Sequence, residues 1–288
     1  MTFSNRLHAR IQKVDSRVCL GIDPRPEAHP LTHPNRFKND PAQVAKAVVY
    51  YFQAIIQATE DLVACYKLQS AFFEALGIPG LISMAQLIAD IKSRGIPVIL
   101  DAKRGDIGST AEAYAQAYLG ESVFSADALT VNPYLGIESL APFLTQAVSE
   151  ERGLFVLVKT SNLGSADFQD VQTEGGRKLY ERVADSLTDV AKRHLSGQYS
   201  PLGAVVGATH PEELGELRQR LPHSIFLVPG YGAQGASAKD IVGAFDKDGL
   251  GAVVSSSRAL TYITQEDDFS ARAKAATEAM RDEINGTL

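Results

Sequence analysis

The sequence predicts an α/β fold, a single (β/α)8 (TIM) barrel, and two patterns along its 288 residues carry that prediction. Short runs of mostly apolar residues recur along the chain, and nearly all of them are followed by a segment with helical spacing. Continuous apolar strands are typical of a parallel sheet that is covered by helices on both faces. The strand-like runs are residues 17–23, 62–69, 97–102, 126–132, 154–160, 203–209, 225–230 and 251–257. Eight strands alternating with helices favour a barrel, and an open doubly wound sheet is the alternative.

The segments between these runs predict amphipathic helices. Their apolar residues recur at spacings of three and four, which places them on the one face that packs against the sheet. The clearest predicted helices are residues 42–59, 81–95, 109–120 and 175–197. We expect Ser109 and Thr110 to cap the start of the third helix, because hydroxyl side chains accept hydrogen bonds from the first free amides of a helix.

Length and composition are consistent with one domain. Barrels of about 250 residues commonly form a single domain, and no linker-like break interrupts this chain. We therefore predict one barrel domain over residues 1–288, with a helical extension at about residues 1–16.

Charge and cysteine content narrow the possible partners. A net charge of −6 provides no general field that would attract nucleic acid or anionic lipid. No apolar run reaches the roughly 18 residues of a membrane-spanning helix. The two cysteines, Cys19 and Cys65, lie in apolar runs, which predicts buried thiols and a reducing cytoplasm rather than a disulfide framework.

Residues 99–110, ILDAKRGDIGST, contain the strongest candidate for catalytic chemistry. Side chains alternate along a strand, so Asp101 and Lys103 are expected to point to the same side, into the barrel mouth. Charges are costly there unless they are paired. Asp106 falls in the turn that follows. A purely structural ion pair is the alternative, but the two glycines that flank Asp106 favour a functional turn.

The segment after the seventh strand, residues 228–237, predicts a phosphate site. Its glycines allow backbone amides to point towards an anion, and the side chain of Gln234 can donate as well. Arg258 follows the eighth strand, and (β/α)8 enzymes often hold phosphate in the turns after strands seven and eight. The alternative is an ordinary glycine-rich turn beside a surface arginine.

Six motifs together resemble one known family. In chain order they are YKLQSAFFEALG, DAKRGDIGST, VNPYLG, TSNLG, PGYGAQG and SSSRALTY. This combination is similar to orotidine 5′-phosphate decarboxylase, in its longer bacterial form (type 2 subfamily). The similarity runs in order from about residue 17 to 262, so it covers most of the chain.

The resemblance implies an activity and a set of catalytic residues. The family converts orotidine 5′-monophosphate to UMP in pyrimidine biosynthesis, without a metal or cofactor. Lys103 matches the lysine that stabilises and then protonates the C6 carbanion. Asp101 matches the carboxylate that lies near the carboxylate of the substrate. Lys67 and Asp106 match the outer members of an alternating Lys–Asp–Lys–Asp array, in which each charge keeps its neighbour ionised.

The resemblance also implies substrate-binding residues. Asp23 matches the carboxylate that accepts hydrogen bonds from the ribose hydroxyls. Ser161 matches the residue that contacts the amide edge of the pyrimidine. Gln234 and Arg258 are expected to hold the 5′-phosphate, together with backbone amides around Gly235.

Two of the matched residues imply an oligomer. In the family, the residues that match Asp106 and Thr110 reach into the site of the neighbouring subunit. The resemblance therefore implies a homodimer with active sites built from both chains.

Two other functions are compatible with parts of this pattern. A Mg²⁺-dependent sugar-phosphate lyase or decarboxylase could use the same D-x-K-x-x-D element, but an ammonium at Lys67 would repel a divalent ion. A barrel that binds UMP-like ligands without turnover is the second alternative. It would have no reason to hold carboxylates against an anionic ligand.

Overall fold

Eight parallel strands close into a barrel in the computed structural model, which describes residues 1–232 and 235–288. Each strand pairs with the next along the chain, and the last pairs with the first. The strands are β1 (Val18–Ile22), β2 (Cys65–Gln69), β3 (Val98–Arg104), β4 (Ala128–Val131), β5 (Gly153–Lys159), β6 (Leu202–Val206), β7 (Phe226–Pro229) and β8 (Ala252–Ser256). The predicted (β/α)8 barrel is confirmed, and the open sheet is excluded.

Helices surround the barrel and connect its strands. The α-helices are α1 (Phe3–Val14), α2 (Pro41–Thr59), α3 (Ser70–Glu74), α4 (Gly77–Ser93), α5 (Gly108–Leu119), α6 (Ala141–Ser149), α7 (Ala166–Gln169), α8 (Leu179–Arg193), α9 (Pro211–Arg220), α10 (Arg258–Thr261) and α11 (Phe269–Asn285). Short 3₁₀ segments lie at Pro26–Ala28, Pro34–Phe37, Ile137–Leu140, Leu163–Ser165 and Ala238–Ala244. The last of these occupies the connection between β7 and β8.

The prediction that Ser109 and Thr110 cap the start of α5 is wrong. This helix begins at Gly108 and follows Ile107, which provides no side-chain cap. Gly108 has a φ of 51°, a left-handed conformation that glycine adopts without steric cost. The chain therefore enters the helix earlier than expected, and Ser109 and Thr110 lie inside its first turn.

Alternation along the strands divides the barrel interior into an apolar base and a polar mouth. On β2, Cys65 belongs to the apolar inner cluster, whereas Lys67 and Gln69 line the cavity at the carboxyl end. On β3, Ile99 and Asp101 are arranged in the same way. The sequence of each strand thus sets both the packed base and the charged mouth.

Helix α1 closes the amino end of the barrel. Its buried face, Phe3, Leu7 and Ile11, joins the inner apolar cluster. The rings of Phe3 and Phe155 meet edge to face, with centroids 5.9 Å apart. Gly153 permits this contact, because a Cβ atom there would lie 2.3 Å from the Phe3 ring. The helix lies within the predicted extension at about residues 1–16.

Two expectations from composition concern the cysteines and the membrane. Cys19 and Cys65 are both buried free thiols, as predicted. None of the helices in the described part of the chain combines the length and the apolar character needed to cross a bilayer.

Candidate active site

A cavity of about 620 Å³ opens at the carboxyl end of the barrel. Residues at the end of every strand contribute to its wall. The charged and polar lining includes Asp23, Lys67, Asp101, Lys103, Ser161 and Arg258. Deeper in the cavity, Leu157, Val205 and Leu227 provide an apolar floor. The cavity thus combines a charged wall with an apolar base, and an apolar environment strengthens electrostatic interactions.

Asp101 is the centre of the site and receives four donors. The Nζ atoms of Lys67 and Lys103 lie 3.3 Å from its Oδ2 and 2.7 Å from its Oδ1. Gln69 Nε2 donates to Oδ2 at 3.0 Å, and Thr130 Oγ1 donates to Oδ1 at 2.9 Å. We refer to Lys67, Asp101 and Lys103 as the charged cluster. Its alternating signs offset the cost of burying these groups.

The surroundings keep Asp101 and Lys67 ionised. Burial alone would raise the pKa of Asp101, but the ammonium groups of Lys67 and Lys103, with hydrogen bonds from Lys103 and Thr130, outweigh it and lower the pKa to about 2. Burial would lower the pKa of Lys67, but the carboxylates of Asp101 and Asp23 outweigh it and raise the pKa above its usual value. A carboxylate and an ammonium therefore persist side by side at neutral pH.

Replacing Asp101 with asparagine is expected to flatten the acid dependence of stability. The pKa of about 2 in the folded protein lies below that of an unfolded aspartate, about 4. The carboxylate therefore stabilises the fold above about pH 4, and this contribution is lost as the pH falls towards 2. About 1 kcal/mol of it is lost by about pH 3. Urea unfolding between about pH 5.5 and pH 3 should show a shallower decline for Asp101→Asn. Parallel curves would contradict the assigned pKa.

Lys103 reaches Asp101 by a route that the sequence argument did not foresee. Leu100 pairs with Leu129 and Arg104 with Val131, so four steps along β3 match only two along β4. Lys103 lies in this irregular stretch and has a left-handed φ of 48°. Regular alternation is therefore the wrong reason for placing Asp101 and Lys103 together. The two side chains still converge, because the bulged backbone turns Lys103 towards the cavity.

Asp23 and Ser161 both lie on the cavity wall. Asp23 Oδ1 is buried and has no hydrogen-bond partner among the described residues. A buried carboxylate oxygen without a donor is costly, so this atom is suited to a ligand hydroxyl. Ser161 lies close to Gly207, the residue that follows β6. The approach is so tight that a Cβ atom at Gly207 would lie 2.7 Å from the Cα of Ser161.

The predicted phosphate loop is only partly visible. Gln234 lies outside the described residues. Arg258 lines the cavity at the first position of α10. The amide of Gly235 donates to the carbonyl of Gly232 at 2.9 Å, and the amide of Gly232 donates to Ala236 at 2.9 Å. The amide of Gly235 is therefore engaged in this structure, and the contribution of the amides around Gly235 to phosphate binding stays a prediction. Phosphate binding there would require these bonds to exchange.

Asp106 and Thr110 do not line the cavity of their own chain. Asp106 Oδ1 accepts a hydrogen bond from the amide of Ile107 at 2.8 Å, and Thr110 is exposed on the first turn of α5. A single chain therefore assembles three members of the predicted Lys–Asp–Lys–Asp array. The fourth, Asp106, follows β3 at the carboxyl end of the barrel and is half-buried.

Three further residues of the site escaped the sequence argument. Gln69 and Thr130 bind Asp101, and Arg25 lines the cavity with its guanidinium 4.6 Å from the ring centroid of Phe72. Alternation along β2 could have identified Gln69, two positions after Lys67. Thr130 carries no comparable signal, because threonine is an ordinary strand residue.

The fold and the site together define a (β/α)8-barrel enzyme whose charged centre lies at the carboxyl ends of the strands. Comparison with known proteins makes this class more specific. The family model described as orotidine 5′-phosphate decarboxylase / HUMPS family matches residues 16–275. Similar proteins include the orotidine 5′-phosphate decarboxylases of Rhodopirellula baltica, 44% identical over 99% of this chain and 100% of the relative, and of Deinococcus radiodurans, 42% identical over 100% and 98%.

Solved structures of similar proteins support the same family. The OMP decarboxylase of Leishmania donovani superposes with a TM-score of 0.80 at 35% identity, covering 100% of this chain and 98% of that one. The UMP synthase of the same organism gives a TM-score of 0.82 at 37% identity over 100% of this chain and 56% of that one. The chain belongs to the orotidine 5′-phosphate decarboxylase / HUMPS family and is a carboxy-lyase. The family and the enzyme class predicted from the sequence are confirmed.

Proposed function

We propose that this protein decarboxylates orotidine 5′-monophosphate to UMP, without a metal or organic cofactor. The similar proteins of Rhodopirellula baltica and Deinococcus radiodurans match this chain over nearly their full length, and both are named for this activity. The observation that supports the mechanism is the charged cluster, in which the ammonium of Lys103 lies 2.7 Å from the carboxylate of Asp101 at the mouth of the barrel. A metal-dependent mechanism is disfavoured, because two ammonium groups flank the central carboxylate and would repel a divalent ion.

The proposed chemistry is one bond cleavage followed by one proton transfer. The bond between C6 of the pyrimidine and its carboxylate breaks, CO₂ leaves, and the electron pair stays on C6. The ammonium of Lys103 stabilises that charge and transfers a proton to C6. The neutral amine then recovers a proton from solvent. A fixed charge in a dry site contributes about 3–4 kcal/mol, and general acid catalysis about 10²- to 10⁴-fold.

The remaining members of the cluster are proposed to prepare this step. Asp101 lies where the carboxylate of the substrate would meet it, and loss of CO₂ relieves the repulsion between them. Lys67 is almost fully buried and contacts Oδ2 of Asp101, whereas Lys103 contacts Oδ1. It holds Asp101 in its ionised form, so that Lys103 stays oriented before the substrate arrives.

The substrate is proposed to bind along the cavity wall. The unpartnered Oδ1 of Asp23 accepts a ribose hydroxyl, and Ser161 contacts the amide edge of the ring. Arg258, with Gln234 and the loop around Gly235, holds the phosphate. Phosphate binding remote from C6 can be used to organise the loops, which raises kcat as well as affinity.

We further propose a homodimer in which Asp106 and Thr110 complete the site of the neighbouring chain. Both residues follow β3 at the carboxyl end of the barrel but do not line the cavity of their own chain, which supports this arrangement. We also propose that the protein works in a reducing cytoplasm, which fits the two buried free thiols.

A spectrophotometric assay tests the activity directly. Pure protein should convert the ultraviolet absorption spectrum of orotidine 5′-monophosphate into that of UMP. The rate of this change should be the same after treatment with EDTA. Loss of activity in EDTA that returns with Mg²⁺ would favour a metal-dependent lyase. Binding of UMP without any turnover would leave only the non-catalytic binder.

A further inference from the structure

Thr130, on β4, links the two residues on which the proposed chemistry depends. Its side chain is buried, with 1% of its surface exposed. Its Oγ1 accepts a hydrogen bond from the backbone amide of Lys103 at 2.9 Å and donates one to Oδ1 of Asp101 at 2.9 Å. The direction of both bonds is fixed, because a backbone amide can only donate and an ionised carboxylate can only accept.

The hydrogen bond from the amide of Lys103 to Thr130 matters because the backbone of Lys103 is in an unfavourable conformation. The left-handed region, with φ at 48° here, crowds the Cβ atom of a lysine against its own backbone. The shift in pairing between Leu100 and Arg104 also takes this stretch of β3 out of the regular ladder with β4. The side-chain hydroxyl of Thr130 therefore accepts the hydrogen bond from the amide of Lys103 that a backbone carbonyl of β4 would accept in a regular ladder.

We propose that Thr130 is a positioning residue, which holds the bulged backbone of Lys103 and one oxygen of Asp101 so that the ammonium of Lys103 faces the reacting carbon. This role rests on the proposed decarboxylase function. Thr130 itself transfers no proton and makes no covalent bond.

Replacing Thr130 with valine tests the role with almost no change of shape. The variant keeps the packing but removes both hydrogen bonds and leaves the amide of Lys103 without a partner. Asp101 still accepts hydrogen bonds from Lys67, Gln69 and Lys103. The substitution also leaves the groups proposed to bind ribose and phosphate unchanged. We expect kcat to fall by about 10- to 100-fold while KM changes by less than about 3-fold.

Two variants serve as controls. Thr130→Ser restores the hydroxyl and should keep kcat within about 3-fold of the wild type. Thr277→Val removes an equally buried hydroxyl from α11, where it donates to the carbonyl of Ala273 at 2.7 Å, far from the cavity. It should leave kcat and KM unchanged. If Thr130→Val does not fold, Thr130→Ala removes the same hydroxyl together with the γ-methyl group, and it is compared with Thr130→Ser in the same assay.

The role is overturned if Thr130→Val keeps the kcat of the wild type, or if Thr130→Ser loses as much activity as Thr130→Val. If the wild type itself does not turn over orotidine 5′-monophosphate, the proposed function fails, and the positioning role is tested by crystallography. A Thr130→Val structure in which Lys103 leaves the left-handed region supports the role. One in which φ and the contact with Asp101 are unchanged overturns it.

Discussion

Replacing Lys103 with alanine is expected to lower kcat for orotidine 5′-monophosphate by at least about 10⁴-fold, because one side chain supplies both the stabilising charge and the proton. UMP carries no carboxylate at C6, so its binding should stay measurable by calorimetry. Lys103→Arg separates the two roles. It keeps a positive charge close to Asp101 but presents a guanidinium that holds its proton. Activity near that of Lys103→Ala would show that proton donation is indispensable.

The matched control for this experiment is Lys13→Ala. Lys13 is exposed on α1 at the opposite end of the barrel, and its removal changes the net charge by the same amount. It should leave kcat and KM as they are. Turnover by Lys103→Ala within about 10-fold of the wild type would end the assignment of Lys103.

Mixing two inactive variants is expected to restore activity if the sites are shared. Asp23→Ala damages the cavity of its own chain, whereas Asp106→Ala is proposed to damage the cavity of the partner. A mixed dimer then has one site with both lesions and one site with neither. With free exchange of subunits, half of the dimers are mixed, so activity should return to about one quarter of the wild type in a C2 dimer.

The control mixture is Asp23→Ala with Lys103→Ala. Both of these residues line the cavity of their own chain, so each site of the mixed dimer carries one lesion and no activity should return. Native mass spectrometry on differently tagged chains confirms that subunits have exchanged. Exchange without recovery in the Asp23→Ala and Asp106→Ala mixture would remove Asp106 from the proposed site.

The sequence was most informative where a local pattern determines the structure. Buried parallel strands leave continuous apolar runs, so all eight strands of the barrel could be located. Lys67 is matched only through the family resemblance, and its place at the mouth of the barrel, two positions after Cys65 in the base, agrees with the alternation of a regular strand. Each of these features depends on residues that are adjacent or nearly adjacent in the chain.

The features that the sequence argument missed depend on contacts between distant segments. The bulge that turns Lys103 inwards comes from the mismatch between β3 and β4, and within this irregular stretch the amide of Lys103 donates a hydrogen bond to Oγ1 of Thr130. The hydrogen bonds that Gly232 makes with Gly235 and Ala236 likewise form only in the folded chain. The shared site proposed for Asp106 comes from the family resemblance alone, because spacing within one sequence does not reveal a contact with another chain.

The helix that closes the base of the barrel has a consequence for the order of folding. Helix α1 has 12 residues, too few to be stable alone in water. Its seat includes Phe155, and the hydroxyl of Ser4 donates to the carbonyl of Ser200, 196 positions later in the chain. During synthesis this amphipathic segment leaves the ribosome long before its binding surface exists. It therefore docks only after the chain has been translated through at least Ser200, and until then it exposes an apolar stripe.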